Sequence, residues 1–203
     1  MGSKKSTGTR PRVLVSRQAD STQRVSRNAD SVRARLKNGE QLVILSTGDD
    51  VVELTDKELR GAGQSWVLRI VGRSNVRIRL TTPLPRTAQI VATDRAFVEA
   101  TGCVTVHAYM HANVHAFDEC VVRARNFAQV SACDFTQVDA IDEVTVFAFD
   151  QARVRAGGQV RVSAIDQTSV HLLETAHASV RRGVRVTGPS RSNLQVERVK
   201  TVV

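Results

Sequence analysis

Four aspartates recur at a fixed step of sixteen residues: Asp118, Asp134, Asp150 and Asp166. A chain that folds back on itself at that step would stack them about 4.8 Å apart along one edge. Carboxylates so close could share a hard cation, raise one another's pKa, or supply the acid and base of a glycan-cleaving groove. The competing reading is architectural: an aspartate at each turn bonds its own backbone, as Asx-turns do. The architectural reading is favoured, because a catalytic pair has no reason to recur identically in four successive coils.

Other residues with chemical potential are scattered. His107, His111 and His115 would share one face of a helix and form a metal trio. In the strand-and-turn pattern described below, His107 and His115 point from opposite faces and His111 sits in a turn, so no metal site is expected. Three cysteines, Cys103, Cys120 and Cys133, show no CxxC spacing, and their odd number argues against a disulfide framework. Phe127 and Phe135 at turn positions, and Phe147 pointing outward, are candidate contact residues for a partner. Lys4, Lys5, Arg10, Arg12 and Arg17 form a basic arm suited to phosphates or to an acidic protein surface. No aromatics interleave with that arm. No phosphate-binding loop, nucleophile elbow or HExxH motif is present, and no cofactor site is expected.

The elements that must position these residues follow from an eight-residue repeat. Valine occupies Val98, Val106, Val114, Val122, Val130, Val138, Val146, Val154, Val162 and Val170. Ala or Leu follows two residues later each time, and a small or β-branched residue stands two before. Three alternate inward positions and then a turn describe one short half-buried strand. The turn position four after each valine separates cleanly at a step of sixteen, with Gly102 and the four aspartates in one column and Met110, Asn126, Asp142, Gly158 and Glu174 in the other. A step of twenty-four scrambles both. Two octads therefore make one coil, and the expected fold is an all-β, single-stranded parallel β-solenoid with two flat faces. On one face Arg123, Asp139 and Arg155 would stack between His107 and His171 as a charge ladder.

The remaining segments follow by contrast. Residues 1–19 read as a flexible basic arm, 20–39 as a helix or anchoring segment, and 40–89 as irregular first coils. Residues 90–176 read as the regular solenoid and 177–203 as degenerate final coils forming a cap. Within 20–39, Asp20 opens the helix, Val25, Ala29, Val32 and Leu36 share a face, and Gly39 stops it. The rival is a degenerate coil starting at Ala29. Charge follows this division: the 203 residues carry a net +9, of which the first 38 carry +8, residues 39–176 carry −4 and the rest +5. With only 4% aromatic residues, the interior must be filled by valine and alanine. No apolar run follows the basic start and none approaches membrane-spanning length, so a virion or the cytoplasm is the expected location.

The octads Ala112-Asn113-Val114-His115-Ala116-Phe117-Asp118-Glu119 and Val144-Thr145-Val146-Phe147-Ala148-Phe149-Asp150-Gln151 resemble the short-coil repeats of parallel β-solenoid proteins. Such repeats occur in bacterial surface proteins and in structural proteins of actinobacterial phages. The resemblance covers roughly 90–173. It implies a rigid, non-catalytic spacer or platform within a larger assembly, such as a capsid decoration or tail-associated protein. The expected partners are other structural proteins and further copies of the chain. A polysaccharide-binding or polysaccharide-cleaving solenoid is the alternative, and a nucleic-acid contact through the arm is a second; no membrane contact is expected.

Overall fold

The computed structural model describes residues 24–46, 50–189 and 194–196. They form a parallel β-solenoid of two sheets, one of ten strands and one of nine, with the chain alternating between them. Among the described residues every strand pairing is parallel, as the octad periodicity predicts. In the regular part Val114 lies beside Val130 and Val122 beside Val138, a step of sixteen. Side chains alternate inward and outward, so the valine and alanine columns are almost completely buried. A narrow space between two flat sheets accommodates only such small side chains at native packing density.

The early coils are longer. Strands β1 (Arg24–Ser26), β2 (Gln41–Ile44) and β3 (Val51–Thr55) precede β4 (Ser65–Ile70) and β5 (Asn75–Leu80), then β6 (Thr87–Ala92) and β7 (Phe97–Gly102). Helix α1 (Ala29–Arg35) lies between β1 and β2, and α2 (Asp56–Leu59) with a 3-10 turn lies between β3 and β4. Leu68 pairs with Ile90 and Val76 with Val98, and the sixteen-residue step begins only where Ile90 meets Val106. Leu, Ile and the single Trp66 replace alanine in these wider rungs and are buried.

The first end differs from the helix expected from Asp20, a residue outside the described ones. The helix starts at Ala29, where Asn28 in extended conformation caps it and forms a reciprocal capping box with Ser31. Val25, assigned by its spacing to the helix face, instead lies in β1 beside Val43 and is 36% exposed. The three residues of β1 satisfy the backbone edge of β2, which would otherwise be open. Val32 and Leu36 are buried where the helix face was expected to be. Both helices pack on β3 and on each other, covering the first rungs.

At the far end Val170 pairs with Val186 and Val180 with Val196, so the register persists into the last strands, Arg185–Thr187 and Leu194–Val196.

Two kinds of corner join the sheets. The passage from the ten-stranded to the nine-stranded sheet takes four residues in every coil from 71–74 to 173–176, and is termed here the four-residue corner. The opposite passage carries the aspartate column, and it alone receives the insertions at 56–64 and 81–86.

Candidate functional site

The aspartate corner is built by backbone conformation. Asp118, Asp134, Asp150 and Asp166 have φ between +55° and +61°, the left-handed region that Gly, Asn and Asp tolerate best. Three of the four carboxylates serve the neighbouring coil. Asp134 Oδ2 accepts the backbone N–H of Asp118 at 3.2 Å, and Asp150 and Asp166 accept those of Asp134 and Asp150 at 3.4 Å. The expected local Asx bond is thus corrected to a tie one coil back, the geometry that a left-handed turn at fixed rung spacing presents. The four-residue corner repeats the device: Asp142 accepts from Asn126 N–H at 2.9 Å and Glu174 from Gly158 N–H at 2.7 Å. The columns therefore fasten coil to coil.

Among the described residues, no three His, Cys, Asp or Glu side chains gather to hold one metal ion. His107 and His115 lie on different sheets, and His111 occupies the turn between them. The stacked column Arg123–Asp139–Arg155 exists by register, but among the described residues these three form no direct ion pair. The expected charge ladder is corrected to solvated side chains held in rows, because exposed long side chains gain little from alignment. Direct pairs form instead in the early coils, where Arg77 bridges Glu53 at 2.9 Å and Glu99 at 2.8 Å. Hydrogen bonds to Glu99 and Glu53 hold the Arg77 guanidinium still further above its ordinary range.

Cys120 fills an inward position, and burial pushes its thiol up to about 11. Burial also raises Cys133. His107 is lowered by burial first and then by Arg123 and Arg125, which crowd it with positive charge. Lys4, Lys5, Arg10, Arg12 and Arg17 lie outside the described residues.

Two open grooves flank the corners. One of about 550 Å³ runs along the aspartate corner, with Arg79, Thr101, Cys103, Asp118, Asp134 and Phe135 on its walls. The other, of about 640 Å³, lies at the four-residue corner between Arg73, Arg95, Met110, His111 and Phe127. Phe135 is 56% exposed and Phe127 49%. Phe147 stands out from the nine-stranded sheet between Ser131 and Ser163, 42% exposed. Phe127 stacks on His111 with ring centroids 5.3 Å apart and planes at 17°. Reading the sequence identified Phe127 but missed Arg73, Arg95 and Met110 as its neighbours. The signal was the pair of longer steps, with Gly72 bonded to Asp94 twenty-two residues on before the sixteen-residue step takes over.

No family model matches the chain, and no curated protein or solved structure matches it. Among the described residues no helix is long and apolar enough to cross a membrane.

Proposed function

We propose that this chain is a non-catalytic structural module: a rigid β-solenoid displayed on or joining a larger particle, with its basic N-terminal segment as anchor. The resemblance of its octads points to a phage virion as that particle. One observation carries the proposal. The carboxylates most able to do chemistry, Asp134, Asp150 and Asp166, are each bound to a backbone N–H of the preceding coil. They hold the rod together instead of converging on a substrate. A continuous hydrogen-bonded rod with small close-packed filling resists bending, which is what a spacer or display element requires.

The test is isolation of the full chain from its native source, with electron microscopy and mass spectrometry of what accompanies it. A particle of fixed composition, released when Lys4, Lys5, Arg10, Arg12 and Arg17 are neutralised to Gln, is the expected result. The groove beside Phe135 supports the rival reading, a glycan-acting protein. A free monomer that turns over a defined glycan, and loses turnover in Asp134→Asn and Asp150→Asn, overturns the proposal in its favour.

A further inference from the structure

The four-residue corner breaks its own construction rule in one place. Its second turn position is left-handed in every coil, at Gly72, Asp94, Met110, Asn126, Asp142, Gly158 and Glu174. Glycine meets that need without strain, and Asp94, Asn126, Asp142 and Glu174 each return a hydrogen bond to the preceding coil. Met110 at φ +58° has neither glycine's freedom nor an oxygen for a backbone N–H; its sulfur accepts only the Thr93 hydroxyl, at 3.2 Å, and the residue is 50% exposed. Left-handed backbone at a long unbranched side chain costs about 1 kcal/mol or more. The coil that tolerates this cost is the one whose thioether opens onto the groove.

The third turn position gives the groove its chemistry. In successive coils it is Arg73, Arg95, His111 and Phe127, kept in register by His111 N–H bonding Asp94 O and Phe127 N–H bonding Met110 O, both at 2.9 Å. Two guanidiniums, an imidazole and a phenyl ring thus follow one another up the corner at the rung spacing. All four side chains are exposed. Arg125 belongs to the same corner and Arg123 to the strand beside it, close enough to disfavour charge on His107. Asp94 is the one acid on the groove wall, and its Oδ2 is held by Gly72 N–H at 2.9 Å. Beyond Phe127 the row turns to Glu143, which bounds the positive stretch.

We propose that this corner binds single-stranded nucleic acid, with phosphates on Arg73, Arg95 and Arg125 and bases against Phe127 and His111. The combination of a basic track with flat rings in the same row selects this ligand. An acidic peptide supplies charge but not a flat ring at each repeat. An acidic glycan supplies charge and puckered rings. A duplex hides its bases from Phe127. The site is separate from the N-terminal arm and does not depend on the chain belonging to a particle.

The test is fluorescence anisotropy of labelled dT15 and rU15 with the full-length chain across a salt series. Four full-length variants accompany it: Phe127→Ala, Met110→Gly, Arg73→Glu/Arg95→Glu, and Lys4, Lys5, Arg10, Arg12 and Arg17 all changed to Gln. Binding is expected at low salt and should weaken as salt rises. Phe127→Ala should weaken it roughly five- to a hundredfold, the loss of one stacked base. Met110→Gly should weaken binding with little change in melting temperature, because relief of the left-handed backbone is offset by loss of the partner of the buried Thr93 hydroxyl. The double arginine variant should also reduce the slope of log affinity on log salt by about 1.4, two phosphate contacts at the single-strand value. No binding of either oligonucleotide at low salt overturns the proposal. So does binding that only the arm variant removes, or a matched duplex that binds as well and ignores Phe127→Ala. Competition by oligogalacturonate at equal concentration, lost in the same groove variants, replaces nucleic acid with an acidic glycan.

Discussion

Substituting Asp134 separates the architectural role of the aspartate column from any role of its charge. The residue does two things: it holds φ at +55° and offers Oδ2 to Asp118 N–H at 3.2 Å. Asparagine keeps both, a left-handed tolerance and a carbonyl acceptor, so Asp134→Asn should cost at most about 0.5–1 kcal/mol, the difference between a charged and a neutral bond at an exposed site. Glycine relieves the backbone but removes the acceptor, and water replaces it, for a cost of about 1 kcal/mol. Alanine loses the acceptor and adds the left-handed penalty of about 1 kcal/mol, for about 2 kcal/mol altogether. At this chain length each kcal/mol moves the melting temperature by about 2–4 °C, so the alanine variant should melt about 4–8 °C lower. Thermal unfolding followed by far-UV circular dichroism should rank wild type and Asn above Gly, and Gly above Ala. If Asn falls as far as Ala, or if calcium raises the melting point of wild type but not of Asp134→Asn, charge is the essential property and the column is a cation site.

Two further outcomes follow from local geometry. At Gly102, φ is +85° and an added Cβ would stand 2.1 Å from Leu80 O, whereas at Gly61 nothing lies within 4 Å. Gly102→Ala should therefore cost about 3 kcal/mol or more and Gly61→Ala close to nothing, measured by denaturant unfolding; equal effects would refute the packing argument. The Cys120 thiol, held protonated to about 11 against an ordinary 9.0, should resist maleimide at pH 8 in the folded protein while the half-buried Cys103 reacts. Because the unfolded thiol ionises first, this contribution to stability is complete below pH 9 and declines between 9 and 11, and Cys120→Ala should abolish that part of the pH dependence.

How far the fold could be read depended on where the coils were regular. The pairing of Val114 with Val130 was legible because a two-residue alternation and a sixteen-residue recurrence of turn residues agree. The helix at the first end was begun too early because Val25, a strand residue, shares by coincidence the helical spacing of Ala29, Val32 and Leu36. What starts the helix only at Ala29 is the side chain of Asn28 closing on Ser31 N–H at 2.9 Å, together with the open edge of β2 that recruits Val25. The aspartates were located correctly, but their partner lies one coil away and no local motif encodes it. The groove at Phe127 was half legible. Its ring was visible in the octads, whereas Arg73 and Arg95 fall in coils whose lengths differ, so their alignment with His111 depends on the insertions around them.

Those insertions have a pattern with consequences for the surface. Residues 56–64 and 81–86 both leave the solenoid at the aspartate corner, so the opposite corner keeps a four-residue turn through seven successive coils. A parallel coil can lengthen at one corner without disturbing pairing, provided the strands on either side stay in register. Lengthening both corners would break the row of left-handed residues whose side chains cap the coil beneath. The uninterrupted corner is therefore where a linear array of side chains can be held at rung spacing from the irregular coils into the regular ones. Arg73 and Arg95 stand on the irregular side of that boundary, and His111 and Phe127 on the regular side. Inserting one residue at the turn 93–96 should misalign the arginines from the rings while leaving the valine core paired, and nucleic-acid binding should fall without a matching fall in melting temperature. A residue inserted at 83–84, on the other corner, should leave both unchanged; if it impairs binding equally, the row at the four-residue corner is not the site.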